Sequence, residues 1–380
     1  MLAITNAHII TMEEKDYKSG TILIEKGKIK DVGERVEIPS HCKVVDARGN
    51  YVLPGFIDAH THAGIAEEIY QIEGDDTNEI TDPLTPHLRA LDAINPNDIG
   101  FKEALLGGVT TVMVAPGSAN VIGGMTALLK VKGKTFQEMI INPEAGLKIA
   151  LGENPKRVYG EQKKMPYTRM ATAALLRQAF IEADNYRRKK SRERDLKKEN
   201  LVKALNREIP VRAHAHRADD ILTALRIGKE FNLRMVIEHC TEGHKILPEL
   251  LEAGVPVAVG PSLTNRSKVE LGELSFKTPG LLAKAGLKVA LITDHPVIPV
   301  RYLVLCAALA VKEGMEEKEA LKALTVNPAK ILEIEDRVGS IRPGKDADLV
   351  IWSGFPLDIR SNPLQVYING HLVFDNYDRN

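Results

Sequence analysis

The sequence predicts an α/β fold: a (β/α)8 TIM barrel over residues 54–336, carrying a small discontinuous β-sandwich built from residues 1–53 and 337–380. Three observations predict it. From Pro54 onward, short apolar runs ending in polar residues alternate with longer helical stretches, the pattern of βα units around a parallel sheet. Eight such runs can be placed, at 55–62, 110–115, 127–131, 147–151, 211–216, 234–239, 255–259 and 288–294, and eight parallel strands close most economically as a barrel. Both ends of the chain have a strand-and-turn texture instead.

At the amino end, runs at 2–11, 20–25, 29–32 and 43–46 are punctuated by the turns Lys26-Gly27-Lys28 and Arg48-Gly49-Asn50. That reads as an antiparallel all-β piece. Between barrel strands, residues 218–231 and 245–253 carry apolar side chains at three- and four-residue spacing and are expected to be helices. After the barrel, residues 341–345 and 348–352 return to strands and turns and are expected to pair with the first strands. One stretch departs from the pattern: residues 187–198, RRKKSRERDLKK, are dominated by positive charge. Glu193 and Asp195 interrupt the cations and no aromatic residue is interleaved for stacking on bases. A solvated face of a helix running on from Ala171 is therefore expected, not a nucleic-acid patch.

Lys and Arg together number 51, as do Asp and Glu, so the formal net charge is zero. Such a balance argues against a polyanion or an anionic membrane as the main partner. The expected partners are a small-molecule substrate and further copies of the same chain, with no nucleic acid and no membrane. Cys42, Cys240 and Cys306 are scattered without CxxC spacing, as reduced thiols of a cytosolic protein would be. The longest apolar stretch, 303–311, is too short to span a bilayer. Residues 1–10 alternate like a strand and lack the basic-then-apolar order of a leader. A cytoplasmic location is expected.

The chemistry sits at the ends of the apolar runs. His60 and His62 close the first, and side chains two apart on a strand point the same way, so both imidazoles can reach one ion. His214 and His216 close the fifth run, His239 the sixth, and Asp294 the last. Barrel active sites lie at the carboxyl ends of the strands, so these groups are expected at one rim. Asp294 there can hold a metal, take a proton from water or cap the following helix.

The segments Pro54-Gly55-Phe56-Ile57-Asp58-Ala59-His60-Thr61-His62, Gly107-Gly108-Val109-Thr110-Thr111-Val112, Thr325-Val326-Asn327-Pro328-Ala329-Lys330 and Gly339-Ser340-Ile341-Arg342-Pro343-Gly344-Lys345-Asp346-Ala347-Asp348 resemble the amidohydrolase superfamily, its imidazolonepropionase-like branch above all. The resemblance implies metal ligation by His60, His62, His214 and His239, with Asp294 as ligand and general base, and His239 or His216 steadying an oxyanion. It implies one or two divalent ions, zinc first, with iron, manganese or nickel as alternatives. For the fourth strand it leaves two candidates, Lys148, carboxylated by CO₂ in binuclear members, and Glu153. They are five apart and face opposite sides of a regular strand. Substrate contacts are expected from His216, Asn120, Lys156 and Arg157. The implied activity is hydrolysis of a cyclic or linear amide C–N bond. Alternatives are a prolidase-like dipeptidase or carboxypeptidase, a deaminase and, remotely, a non-catalytic assembly protein. The deaminase reading is weakened because Arg217, not glutamate, stands three residues after His214.

Overall fold

Residues 2–54 favour strands because apolar and β-branched residues alternate with polar ones between tight turns. In the computed structural model, which describes residues 1–69, 72–189 and 193–377, β1 (Leu2–Ile9), β2 (Tyr17–Glu25) and β3 (Lys28–Gly33) pair antiparallel. The turn joining β2 to β3 places Lys26 and Gly27 at φ 50° and 80°, the left-handed pair that a two-residue hairpin needs. β4 (Lys43–Asp46) and β5 (Tyr51–Pro54) pair with β1 in parallel, which corrects the all-antiparallel expectation. The connection after Gly33 is too long for a hairpin and carries the chain across to the other edge of β1.

β14 (Leu349–Trp352), β15 (Pro363–Ile368) and β16 (His371–Asp375) extend this same sheet, β14 antiparallel to β5 and each next strand antiparallel to the last, in the order β16-β15-β14-β5-β1-β2-β3. Both ends of the chain thus share one layer, packed around Ile4, Ile22, Ile24, Val52, Leu349 and Ile351.

The second sheet holds β6 (Phe56–Thr61), β7 (Val109–Val114), β8 (Ile122–Lys130), β9 (Ile140–Ala150), β10 (Val211–Ala215), β11 (Met235–His239), β12 (Val257–Val259) and β13 (Val289–Leu291), in chain order. Its edges meet: Asp294 N donates to His60 O (3.2 Å), and His62 N donates to His295 O (2.8 Å). The barrel is therefore closed. Seven strands run parallel, but β8 is antiparallel to both β7 and β9, a correction to eight parallel strands. The link between β7 and β8, residues 115–121, contains no helix, and a parallel return needs a crossover of about a dozen residues or more. So β8 descends from the rim, and a turn with the one-turn helix α2 (Phe136–Met139) sends β9 back up.

Around the barrel lie α1 (Ile99–Leu106), α3 (Glu153–Glu161), α4 (Arg169–Arg188), α5 (Leu196–Leu205), α6 (Ala218–Glu230), α7 (Leu247–Ala253), α8 (Lys277–Lys284), α9 (Leu303–Lys312), α10 (Glu317–Leu324) and α11 (Val326–Ile331). Odd-numbered residues of β9 to β11, such as Leu147, Ile149, Ala213 and Ile237, face outward onto α4, α5 and α6. Even-numbered neighbours face the barrel interior, as strand alternation requires. The barrel floor is plugged by Ala329, Ile331 and Leu332 against Ile57, Ala59, Met113, Ala258 and Ala290.

The basic stretch 187–198 does not continue one helix. α4 stops at Arg188, Asp195 caps α5 by accepting from Lys198 N, and residues 190–192 lie outside the described residues. Among its described cations, Arg187 pairs with Asp184 and Arg194 with Glu199, each at 2.6 Å. Among the described residues no helix is long and apolar enough to cross a membrane.

Candidate metal centre

The carboxyl ends of β6, β10, β11 and β13 bring His60, His62, His214, His216, His239 and Asp294 to one rim. Asp294 Oδ1 lies 3.2 Å from His60 Nε2 and 3.3 Å from His62 Nε2. His60, His239 and Asp294 offer ligand atoms within 4.8 Å of one another, as do His214, His216 and His239. His239 follows the inward-facing Glu238, so a regular strand would turn it out of the barrel. Its backbone instead adopts φ 71°, with Cys240 at 49°, and Asp294 sits at 55°. Such left-handed conformations cost a non-glycine residue on the order of 1–3 kcal/mol and concentrate at functional sites.

Second contacts set which nitrogen carries the proton in two of the rings. His62 Nδ1 donates to Ala115 O and His239 Nδ1 donates to Gly260 O, both at 2.7 Å. A carbonyl can only accept, so each Nε2 is left with a free lone pair. His60 Nδ1 lies 2.8 Å from Glu238 Oε2. That carboxylate also accepts from Lys148 Nζ (2.7 Å) and, through Oε1, from Arg212 Nε (2.6 Å), while Arg212 Nη2 donates to Ala59 O at 2.8 Å. All four side chains are buried. Below His60, Asp58 accepts from Thr293 Oγ1 (2.5 Å) and Thr293 N (3.2 Å), tying the residue before Asp294 to β6.

Electrostatics make three of the imidazoles, those of His214, His216 and His239, neutral donors. Burial first, and then neighbouring imidazoles, hold His214 and His239 well below the usual histidine value, and burial with His239 beside it takes His216 down to about 3. Burial opposes ionisation of Asp294 and Glu238, yet both lie well below the carboxylate range. His239, His60 and His62 outweigh burial at the first, and His60, Lys148 and Arg212 at the second. His60 is raised: burial lowers it, but the Glu238 carboxylate prevails. Burial pushes Asp58 up to about 7 against its hydrogen bonds.

The donor set fits a metal ion. His214 Nε2 and His239 Nε2 are buried without a hydrogen-bond partner, and a buried polar atom left unpaired costs about 1–3 kcal/mol. Neutral imidazoles and carboxylates are the ligands of zinc and its first-row neighbours. His62 and Asp294 keep side-chain exposures of 13% and 16%, whereas His60 keeps 1%, so the cluster opens to solvent on the side of Asp294.

The other residues singled out from the sequence are distributed differently. Lys148 comes within 3.4 Å of His60 Nε2 but donates to Glu238. Glu153 follows Gly152, whose φ of 91° turns the chain into α3. Its carboxylate accepts from Glu270 N (3.3 Å) and its N–H donates to Glu270 Oε2 (3.0 Å). Asn120 is buried within the rim loops, donating to Glu79 O and Thr85 Oγ1 and accepting from Tyr159 Oη. Lys156 is half-buried on α3, and Arg157 is exposed; Arg157 and Lys268 line a cleft of about 330 Å³. Sequence reasoning assigned no role to Glu238, Arg212, Asp58 or Glu270. Charged residues inside apolar strands were a usable signal for the first three, and Glu270, in a loop, offered none.

The amidohydrolase family model matches residues 51–380. An amidohydrolase from Thermotoga maritima MSB8, known from a crystal structure, is 48% identical, with a TM-score of 0.96 over 99% of this chain and 100% of its own. The amidohydrolase tasK of Hapsidospora irregularis is 31% identical over 94% of this chain, and an adenine deaminase of Clostridium perfringens 25% identical over 98%. This chain spans 40% and 59% of their respective lengths. With a closed barrel, a histidine–aspartate rim and a family match over most of its length, the chain belongs to the amidohydrolase family.

Proposed function

We propose that the chain is a metal-dependent hydrolase of carbon–nitrogen bonds, cleaving a cyclic or linear amide with Asp294 as general base. The observation that carries this reading is the placement of Asp294 Oδ1 within 3.2–3.3 Å of two imidazole Nε2 atoms at the solvent-open side of a buried cluster. His60, His62, His214, His239 and Asp294 would hold the ion or ions, zinc first among them. Such an ion, when bound, lowers the pKa of water towards neutrality and polarises a carbonyl.

The protein's own groups do the rest. Asp294, kept ionised by its imidazole neighbours, takes one proton from the attacking water and delivers it to the departing nitrogen. The C–N bond breaks as the C–O bond forms, and the products are a carboxylic acid and an amine. For His239, the Nδ1–H bond to Gly260 leaves Nε2 a lone pair, which suits a ligand and not a donor to an oxyanion. Lys148 donates to Glu238, and carboxylation would put a second anion beside that carboxylate. We therefore assign Lys148 as a free ammonium that orients Glu238, and through it His60.

A second reading, deamination, has the adenine deaminase aligned over 98% of the chain in its favour. Against it, Arg217 is paired with Asp219 at 2.9 Å where that chemistry would use an acid. Amine and ammonia release should be measured on N-acyl amino acids, dipeptides, cyclic ureides and aminopurines. On whichever substrate is turned over, Asp294→Asn is expected to lower kcat by about 10²–10⁴ while metal content is kept. Turnover within tenfold of wild type removes Asp294 from this role.

A further inference from the structure

We infer that the rim carries a second, four-donor ion position, formed by the imidazoles of His214, His216 and His239 with Oε1 of Glu270, and needing neither Lys148 nor Glu153 as a ligand. This deepens the reading of the chain as a metal-dependent hydrolase and rests on it. The three histidines offer nitrogens within 4.8 Å of one another. Their rings converge, with centroids 4.4 Å apart for His214 and His239, 4.5 Å for His216 and His239, and 4.8 Å for His214 and His216. His216 Nδ1 is engaged with Thr241 Oγ1 at 2.8 Å, and Nδ1 of His239 with Gly260 O, which directs both Nε2 atoms to the shared space.

Glu270 supplies the fourth donor. It is 1% exposed, and its Oε1 lies 3.7 Å from His214 Nε2 and 3.9 Å from His216 Nε2 without a hydrogen-bond partner. Lys268 Nζ forms an ion pair with this oxygen at 3.8 Å, beyond hydrogen-bond distance. A buried carboxylate oxygen that faces two imidazole nitrogens and receives no hydrogen bond is costly, and an ion held among these groups would relieve that cost. The Glu153 backbone N–H donates to Oε2 of Glu270, and the Glu153 carboxylate accepts from Glu270 N, so the Glu153 side chain positions the backbone that carries this donor. His239 Nε2 has one lone pair and can serve one ion only. Given to this set, it leaves His60, His62 and Asp294 for the other ion, with open positions there, whereas three nitrogens and one oxygen close a tetrahedron here.

The test is cobalt substitution of the full chain, read by ion content and by visible ligand-field absorption, independently of turnover. Wild type is expected to take two Co²⁺ per chain, one with the intense absorption of four-coordinate cobalt. His216→Asn and Glu270→Gln should each hold one ion and lose that band, whereas His62→Asn should lose the other ion and keep it. Glu153→Ala should weaken the four-coordinate ion by about 10–100-fold. His216→Cys, which keeps a donor, should add a thiolate charge-transfer band. Two ions and an unchanged spectrum in His216→Asn and Glu270→Gln, or no such band in His216→Cys, overturn the inference and leave the hydrolase reading standing. A wild-type chain that binds no cobalt or zinc overturns both.

Discussion

Glu238 is the residue on which the site's electrostatics turn. One carboxylate accepts from Lys148 and Arg212 and faces His60 Nδ1, so it is the shared counter-charge of two buried cations and orients the ring of a candidate ligand. Removing one partner of a buried ionic cluster leaves the others uncompensated, at about 3–5 kcal/mol. Glu238→Ala is therefore expected to lose stability in that range by denaturant unfolding of the metal-free protein; a loss under about 1 kcal/mol would mean the cations find other partners. This hub belongs to no motif, and its one sequence signal is charge inside apolar strands. His60, His62, His214, His239 and Asp294 stand out because histidine at a strand end is a chemical signal and its spacing is local. Glu238 and Arg212 occupy strands already explained by their apolar neighbours, and their partners are distant in sequence. Glu270 is harder still, since only the folded loop brings it to His214 and His216.

At the level of elements, local pattern sufficed for identity but not for direction. All eight barrel strands fall near the expected runs, and α6 and α7 nearly coincide with 218–231 and 245–253. The antiparallel course of β8 and the parallel pairing of β4 and β5 with β1 depend on connection length, which hydrophobic periodicity does not encode. The rim likewise depends on backbone conformations that periodicity does not reveal. Gly260, whose carbonyl holds His239, has φ 148°, and a Cβ there would lie 2.2 Å from Ile292 O. Gly260→Ala is expected to lose at least about 1–3 kcal/mol through backbone strain and to weaken metal binding by displacing His239. An unchanged melting temperature and ion content in that variant would contradict the constraint.

Over the whole molecule, the terminal sheet and the barrel are joined by a buried ionic latch. Lys130, near the end of β8, pairs with Asp346 (3.2 Å) and with Asp348, and Asp346 also pairs with Lys28 and with Arg337 (2.9 Å). Burial opposes the charge on Asp346, but Lys130, Lys28 and Arg337 outweigh it and lower its pKa. A carboxylate depressed in the folded state contributes stability above its unfolded pKa of about 3.9, and that contribution is lost as pH falls through the folded value. Melting temperature should therefore drop more steeply below about pH 4 in wild type than in Asp346→Asn, which is less stable near neutrality. Parallel acid profiles for the two proteins would remove the latch from the account.

The central claim is that four imidazoles and one carboxylate, contributed by the ends of four strands, enclose metal at one rim of the barrel. Anomalous X-ray scattering from crystals of the zinc-loaded chain, recorded on both sides of the zinc edge, tests it directly. The expected result is anomalous density bounded by His60, His62, His214, His239 and Asp294. Zinc-edge density confined to other parts of the molecule, with those five side chains packed against one another, would contradict it.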